Sequence, residues 1–468
     1  MTTSKRLLKG CVGLGLLLLA AECGWAADVF VAPLGRHEAP YAGWDTAATN
    51  VRDAVIVANA SNNASTVWVS NGLYLAANMI TISNAVVRGF GGDRTTVVID
   101  GGGSVRPFYL NHAGAALRDL TVSNGLAADA ALSGNGGGVY LNVTGSLLSN
   151  CVVTACTATN TGGGVCQTKG MVLTCLIANN AAQGSGAGSA GGIAVASDMY
   201  VSDCVVSNNT ALGGNSTVGG VSLATRSSLR NSDIVGNLGI GGGGVYSRYG
   251  DLITHCTIRD NIGSNALTTA SGVTAGGIAV TKDKQIIRNC LIVGNIAYSG
   301  YRGGGGVSSG MTPLLMESCT LVSNAFKEIV GSAVGTGGFY DGSTTICWTN
   351  CIVYHNSTES GAAFDSFWFV TKDNTNRLFN CCVERPQYAL PVSNGNITND
   401  PLFEAVAEGD CRLTANSPCI NTGTNLAWMA DALDLDGNPR LDRRFKQADM
   451  GCYERIFLTS GGTLLSFQ

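Results

Sequence analysis

"RNCLIVGN", residues 288–295, decides the fold because the chain keeps repeating it. "SNCVVTAC" stands at 149–156, "SDCVVSNN" at 202–209 and "THCTIRDN" at 254–261. "ESCTLVSN" at 317–324 and "TNCIVYHN" at 349–356 follow. With the cysteine as position zero, that column reads Cys151, Cys175, Cys204, Ser232, Cys256, Cys290, Cys319, Cys351 and Cys381. Two residues on, every residue is aliphatic, from Val153 and Ile177 to Val353 and Val383. Five residues on, Cys156 is followed by Asn180, Asn209, Asn237, Asn261, Asn295, Asn324 and Asn356. Three residues before the cysteine comes another apolar column, Leu148 to Leu378. A second motif, Gly-Gly-apolar, precedes each repeat and ends in residues such as Val139, Val165, Ile278 and Phe339.

Positions zero and +2 share one face of a strand, because strand side chains alternate with period two. Position −3 is out of step with them, so the chain must bend just before the cysteine. Short strands, bends and glycines at a period of 24 to 34 residues predict the coils of a solenoid. The fold class is all-β: a single-stranded right-handed parallel β-helix with a short N-terminal capping helix. An α-solenoid is excluded, since 3.6-residue periodicity is absent and the apolar residues are β-branched. Coils stack about 4.8 Å apart, so like residues lie above like. The aliphatic columns become core stacks and the Asn column a ladder of side-chain amides at a turn. Ser232 in the Cys column points to a small buried thiol tolerated for its size rather than to a disulfide position. No CxxC occurs, and thiols in a line do not make the tetrahedron that zinc needs.

Composition agrees with a long core. Charged residues are 13% and Gly 64 of 468, about half and about twice their usual shares. Mean hydropathy is +0.20. The first 26 residues read as an export signal: Lys5, Arg6 and Lys9, then the apolar run "CVGLGLLLLAA", then small residues before residue 27. Removing these three basic residues and Glu22 takes the net charge from −4 to −6. No basic patch recommends nucleic acid, no later segment is long enough to span a membrane, and a monomer is expected.

The repeats resemble those of right-handed parallel β-helix proteins with the pectate-lyase-like fold. They also resemble the repeats of polymorphic outer membrane protein passengers, with Ile, Val or Leu in place of that family's phenylalanine. The resemblance covers about residues 134–383 and concerns fold, which does not fix activity. Residues 27–125 are expected to form an N-terminal cap and first irregular coils. In "WDTAATNVRDAVIVANA", Val51, Ala54, Val55 and Ala58 share a helical face, with Asp45 or Thr46 as N-cap. Repeats are assigned to 126–399. Then "NDPLF", "GDCRL", "SPCINTG", "DLDGNPR" and "DMGCYE" follow in order. This series resembles the choice-of-anchor Q region that closes exported bacterial β-helix proteins, so 400–454 is assigned to it and 455–468 to a short tail. Cys411, Cys419 and Cys452 lie outside the stacked column; a bridge among them is expected, Cys419–Cys452 first.

No catalytic constellation is legible. "GHG" and "RIK" are absent, and no aspartates cluster on a repeat strand. His255 sits in a polar outward column with Asn150, Asp203 and Asn289, and reads as surface decoration. Position −6 carries Lys169, Asp198, Arg226, Gly250 and Lys284, with Arg248 and Lys282 nearby; charges of both signs there can satisfy one another. "DLDGNPRLD", 434–442, resembles a calcium loop but lacks the EF-hand spacing and closing Glu. With Arg440, Arg443 and Arg444 close by, it reads as a structural turn with an ion pair. The segment between the Asn and Gly-Gly columns varies most in length, and repeat proteins put such loops on their binding face. There the chain gathers Tyr298, Tyr301, Arg302, Phe326 and Lys327. Tyr298, Tyr301, Arg302 and Lys327 are the expected ligand contacts, since aromatics with cations stack and clamp a sugar. The preferred reading is an exported, non-catalytic protein binding a polysaccharide or cell-surface glycan. A lyase-like carbohydrate-active enzyme and a structural envelope component are the alternatives. No cofactor or metal is assigned, and secretion, the cell surface and the periplasm are all compatible places.

Overall fold

A computed structural model describes residues 28–61, 65–249, 252–265, 273–282, 284–310, 313–329, 334–342, 346–359, 366–368, 372–441 and 445–456. The expected export signal, the tail beyond residue 456, Gly250, Asp442, Arg443 and Arg444 lie outside them. Among the described residues, coils in the middle of the chain pass through four strands, while the first coils lack the sheet 3 strand. One coil runs Leu147–Ser149 in sheet 1, Val152–Thr154 in sheet 2, Thr157–Ala158 in sheet 3 and Val165–Gln167 in sheet 4, and returns to sheet 1 at Met171–Leu173. Sheets 1 to 4 hold 13, 12, 9 and 11 strands, all pairing parallel with the next coil. The result is a right-handed parallel β-helix.

The registers put like over like. Val152↔Leu176, Val153↔Ile177 and Thr154↔Ala178 pair in sheet 2, and the series continues to Val353↔Val383. All columns at positions −3, zero and +2 are 2% exposed or less. The expected bend is a residue in the left-handed region at position −1, with φ between 45° and 58° from Asn150 to Asn380. A second such corner falls at +4, at Asn179, Asn208, Gly236 and Gly294 among others. Asn and Asp tolerate this region best after Gly. The polar column that reads as surface decoration in sequence is therefore a column of chain corners.

The corner also explains the cysteines. Cys151 Sγ donates to Ser149 O at 3.2 Å, Cys175 to Leu173 O and Cys256 to Thr254 O at the same distance. Ser232 Oγ makes the same bond to Arg230 O, at 2.6 Å. The column selects a small buried side chain that can donate back across the corner, which Cys and Ser both do. The Asn ladder forms as read. Asn237 Oδ1 accepts from the backbone N–H and the Nδ2 of Asn209, while its own Nδ2 donates to Val206 O and to Asn261 Oδ1, all at 2.9–3.0 Å. The second glycine of each Gly-Gly pair makes room for it: a Cβ on Gly164 would stand 2.8 Å from Asn180 Nδ2. Two sequence signals thus belong to one packing contact.

The helix Val51–Asn59 buries Val51, Ala54, Val55 and Ala58 against the first strands. Its N-cap is Asn50, whose side chain accepts from Asp53 N at 2.9 Å, not Asp45 or Thr46. The far end of the core fills with Phe339, Trp348 and Phe367, ring centroids 4.6–4.9 Å apart, with Tyr388 and Leu390 packed against the same core. The closing segment 400–454 does not lie across that end. It folds back along the outward flank of sheet 2, burying Leu291, Val322, Ile352 and Cys382. Among the described residues no helix is long and apolar enough to cross a membrane.

Candidate functional site

The expected ligand contacts converge on one edge. In early coils the sheet 3 strand has two residues, but Ile296–Ser299 and Ala325–Glu328 have four. The longer strands run into a three-stranded addition, Val273–Ala275, Arg302–Gly304 and Val334–Thr336. Tyr298 pairs in register with Lys327 on the next coil, and Lys327 Nζ lies 5.4 Å from the Tyr298 ring centroid. The Arg302 guanidinium lies 5.0 Å from the ring centroid of Tyr301, which is 42% exposed. All four predicted residues are thus brought onto one edge as two ring–cation pairs. Phe326 turns inward and is buried.

Two residues that sequence reasoning missed hold this turn. The Ser299 hydroxyl donates to Arg302 O and accepts from Tyr301 N, each at 3.2 Å. Asn265 Nδ2 donates to the same hydroxyl and Asn265 Oδ1 accepts from Gly300 N, both at 3.0 Å. Both side chains are buried, so Tyr301 stands on a turn tied to two coils. Tyr301 O also accepts from Val334 N at 2.8 Å. Their signal was faint: a Ser and an Asn within long, irregular loops.

The other charged edge behaves differently. Arg226 grips Asp198 through Nε and Nη2, at 2.7 and 2.8 Å. Its guanidinium holds the Asp198 carboxyl below the usual carboxylate range. Arg248 and Lys282 both approach the Tyr249 ring, at 5.4 and 5.8 Å.

Along the flank, the closing segment and sheet 2 enclose two clefts of about 540 and 660 Å³ that share Asp233, Thr257 and Tyr453. Of the charged residues lining them, Asp434, Arg259 and Asp260 have partners, and so do their neighbours in the closing segment. Arg259 pairs with Asp260 at 3.0 Å. Asp434 accepts from the backbone N–H groups of Asp436, Asn438 and Glu454. Asp436 pairs with Arg412 at 2.6 Å. Arg440, fully buried, pairs at 3.0 Å with Glu454, whose carboxyl burial pushes up to about 9. The calcium-like loop is thus a structural turn, and Arg440 serves Glu454 rather than the loop's own aspartates. His255 also needs correction: its Nε2 donates to Leu433 O at 2.9 Å, and its Nδ1 accepts from the Thr254 hydroxyl at 2.8 Å. It fastens the closing segment. Cys419 and Cys452, the first expected pair, lie in separate buried clusters, Cys419 with Cys382 and Cys452 with Cys411.

No family model and no curated protein matches the chain. Among solved structures it is similar to pectate lyase Pel9A: 13% identity, TM-score 0.46, covering 92% of this chain and 96% of that one. It is also similar to a mannuronic acid specific polysaccharide family 6 lyase from human gut microbiota, at 9% identity and TM-score 0.36, over 75% of this chain and 88% of that one. A pectin methylesterase from Aspergillus niger matches at 14% identity and TM-score 0.29, over 76% and 94%.

Proposed function

We propose that the chain is an exported, non-catalytic β-helix protein that binds a polysaccharide or cell-surface glycan through its loop edge. The supporting observation is the pair of ring–cation contacts, Tyr298 with Lys327 of the next coil and Tyr301 with its neighbour Arg302, beside a turn locked by Ser299 and Asn265. A ring face stacks on a sugar while a cation meets an anionic or hydroxyl-rich substituent. Export through residues 1–26 and a choice-of-anchor Q-like role for 400–454 belong to the same reading. The second reading, a polysaccharide lyase, rests on the flank clefts, where His255 and Arg259 stand near Asp233 and Asp260.

A screen against polyuronates and neutral glycans, scoring both binding and product release, separates the two. Tyr301→Ala combined with Arg302→Ala keeps the fold, because both residues are exposed. It lowers affinity by on the order of 1–3 kcal/mol if stacking and charge both contribute. Unchanged binding refutes the proposed edge. Loss on replacing Arg226, Arg248 and Lys284 instead would move the site to the other edge, and product release would favour the enzyme.

A further inference from the structure

The cysteines divide by direction. Column thiols stack side by side, with parallel side chains about 4.8 Å apart, beyond the Cβ separation of ~3.5–4.5 Å in a disulfide. Cys382 is different. It follows the column member Cys381 and points to the outward side of sheet 2, in register with Ile352. Yet it is completely buried, because the closing segment lies over it. Cys382, Cys419, Ile352, Leu413 and Met450 form one buried cluster. The two cysteines therefore approach from opposite sides, as a disulfide requires. Their segments are tied together next to both residues: Asn380 Nδ2 donates to Thr422 O at 2.9 Å, and Thr424 Oγ1 donates to Asn380 Oδ1 at 2.7 Å. Both thiols are free in the structure, and the Cys382 Sγ donates to Asn399 O at 3.1 Å, just before the segment that carries Cys419.

We propose that Cys382 and Cys419 form a disulfide that fastens the closing segment to the flank of the last coil. Each thiol loses a proton and one electron as the S–S bond forms. The two electrons and two protons pass to a disulfide oxidant, such as oxidised glutathione, which leaves as two thiols. The bond is independent of the glycan reading, because it concerns the flank of sheet 2 and not the loop edge.

The test refolds the full chain in a buffer of reduced and oxidised glutathione, which removes any dependence on export. The product is alkylated under denaturing, non-reducing conditions. It is then digested with trypsin and a glutamate-specific protease. Cuts after Glu384, Arg412 and Arg440 place Cys411, Cys419 and Cys452 on three different peptides, and fragmentation distinguishes Cys382 from Cys381. The expected result is a Cys382–Cys419 cross-linked peptide with the column cysteines alkylated. Cys419→Ser should abolish it and leave Cys382 alkylated; if that variant does not fold, the map of the parent chain decides alone. Alkylation of both Cys382 and Cys419 in the folded parent, or a link from Cys419 to Cys452, overturns the proposal.

Discussion

Asn237→Ala probes the ladder at its centre. The Asn237 amide makes four hydrogen bonds: two donated, to Val206 O and Asn261 Oδ1, and two accepted, from Asn209 N and Nδ2. Truncation strips the Asn209 backbone N–H of this acceptor at a residue with no solvent exposure. An orphaned buried group costs ~1–3 kcal/mol, and each lost amide link a further ~0.5–1.5. The expected loss is about 4 kcal/mol, at the lower end if a water enters the gap. Long solenoids unfold as coupled repeats rather than as one unit, so urea unfolding should be read beside hydrogen exchange. The Asn209 amide should exchange much faster, while amides several coils away keep their protection. Asn237→Asp sharpens the test. It keeps an acceptor for Asn209 but sets a buried carboxylate oxygen against Val206 O and Asn261 Oδ1. It should be worse than alanine at pH 7 and recover as acid protonates it. A loss below ~1 kcal/mol for Asn237→Ala, with Asn209 protection unchanged, would show that the ladder only accompanies the fold and does not stabilise it.

Two further outcomes follow from the core. Ile258→Asp puts a charge at a fully buried position of the +2 column; expression failure or a loss of ~4 kcal/mol or more is expected, and a variant as stable as the parent would mean the column faces water. Burial pushes the Cys151 and Cys156 thiols from 9.0 up to about 12. A folded-state value above the unfolded one gives stability that is intact below pH 9 and lost as pH rises through 12, about 1.4 kcal/mol per thiol at pH 10. Urea midpoints at pH 8 and pH 10 check this, and Cys151→Ser should lose less between them; equal losses in parent and variant would count against it.

The solenoid is legible in the chain, because each coil must present the same residue type at the same place to the coil above. That demand writes itself into the chain once per turn, as the Cys, aliphatic, Asn and Gly-Gly columns. The sequence also marked the loop edge where Tyr298, Tyr301, Arg302 and Lys327 gather, since loop length varied there and aromatics accumulated. Contacts that occur once came into view only in the folded chain. The corner role of Asn150, Asp203, Asn289 and His255 depends on backbone angles, which a polar residue in a column does not reveal. That Asn50 rather than Asp45 or Thr46 caps the helix depends on where the helix begins, at Val51. The placing of 400–454 along the flank, Cys382 facing Cys419, and Arg440 serving Glu454 join segments far apart in an irregular stretch. A repeated contact is selected at every coil and so leaves a period in the sequence. A contact made once leaves only a residue, whose partner the folded chain supplies.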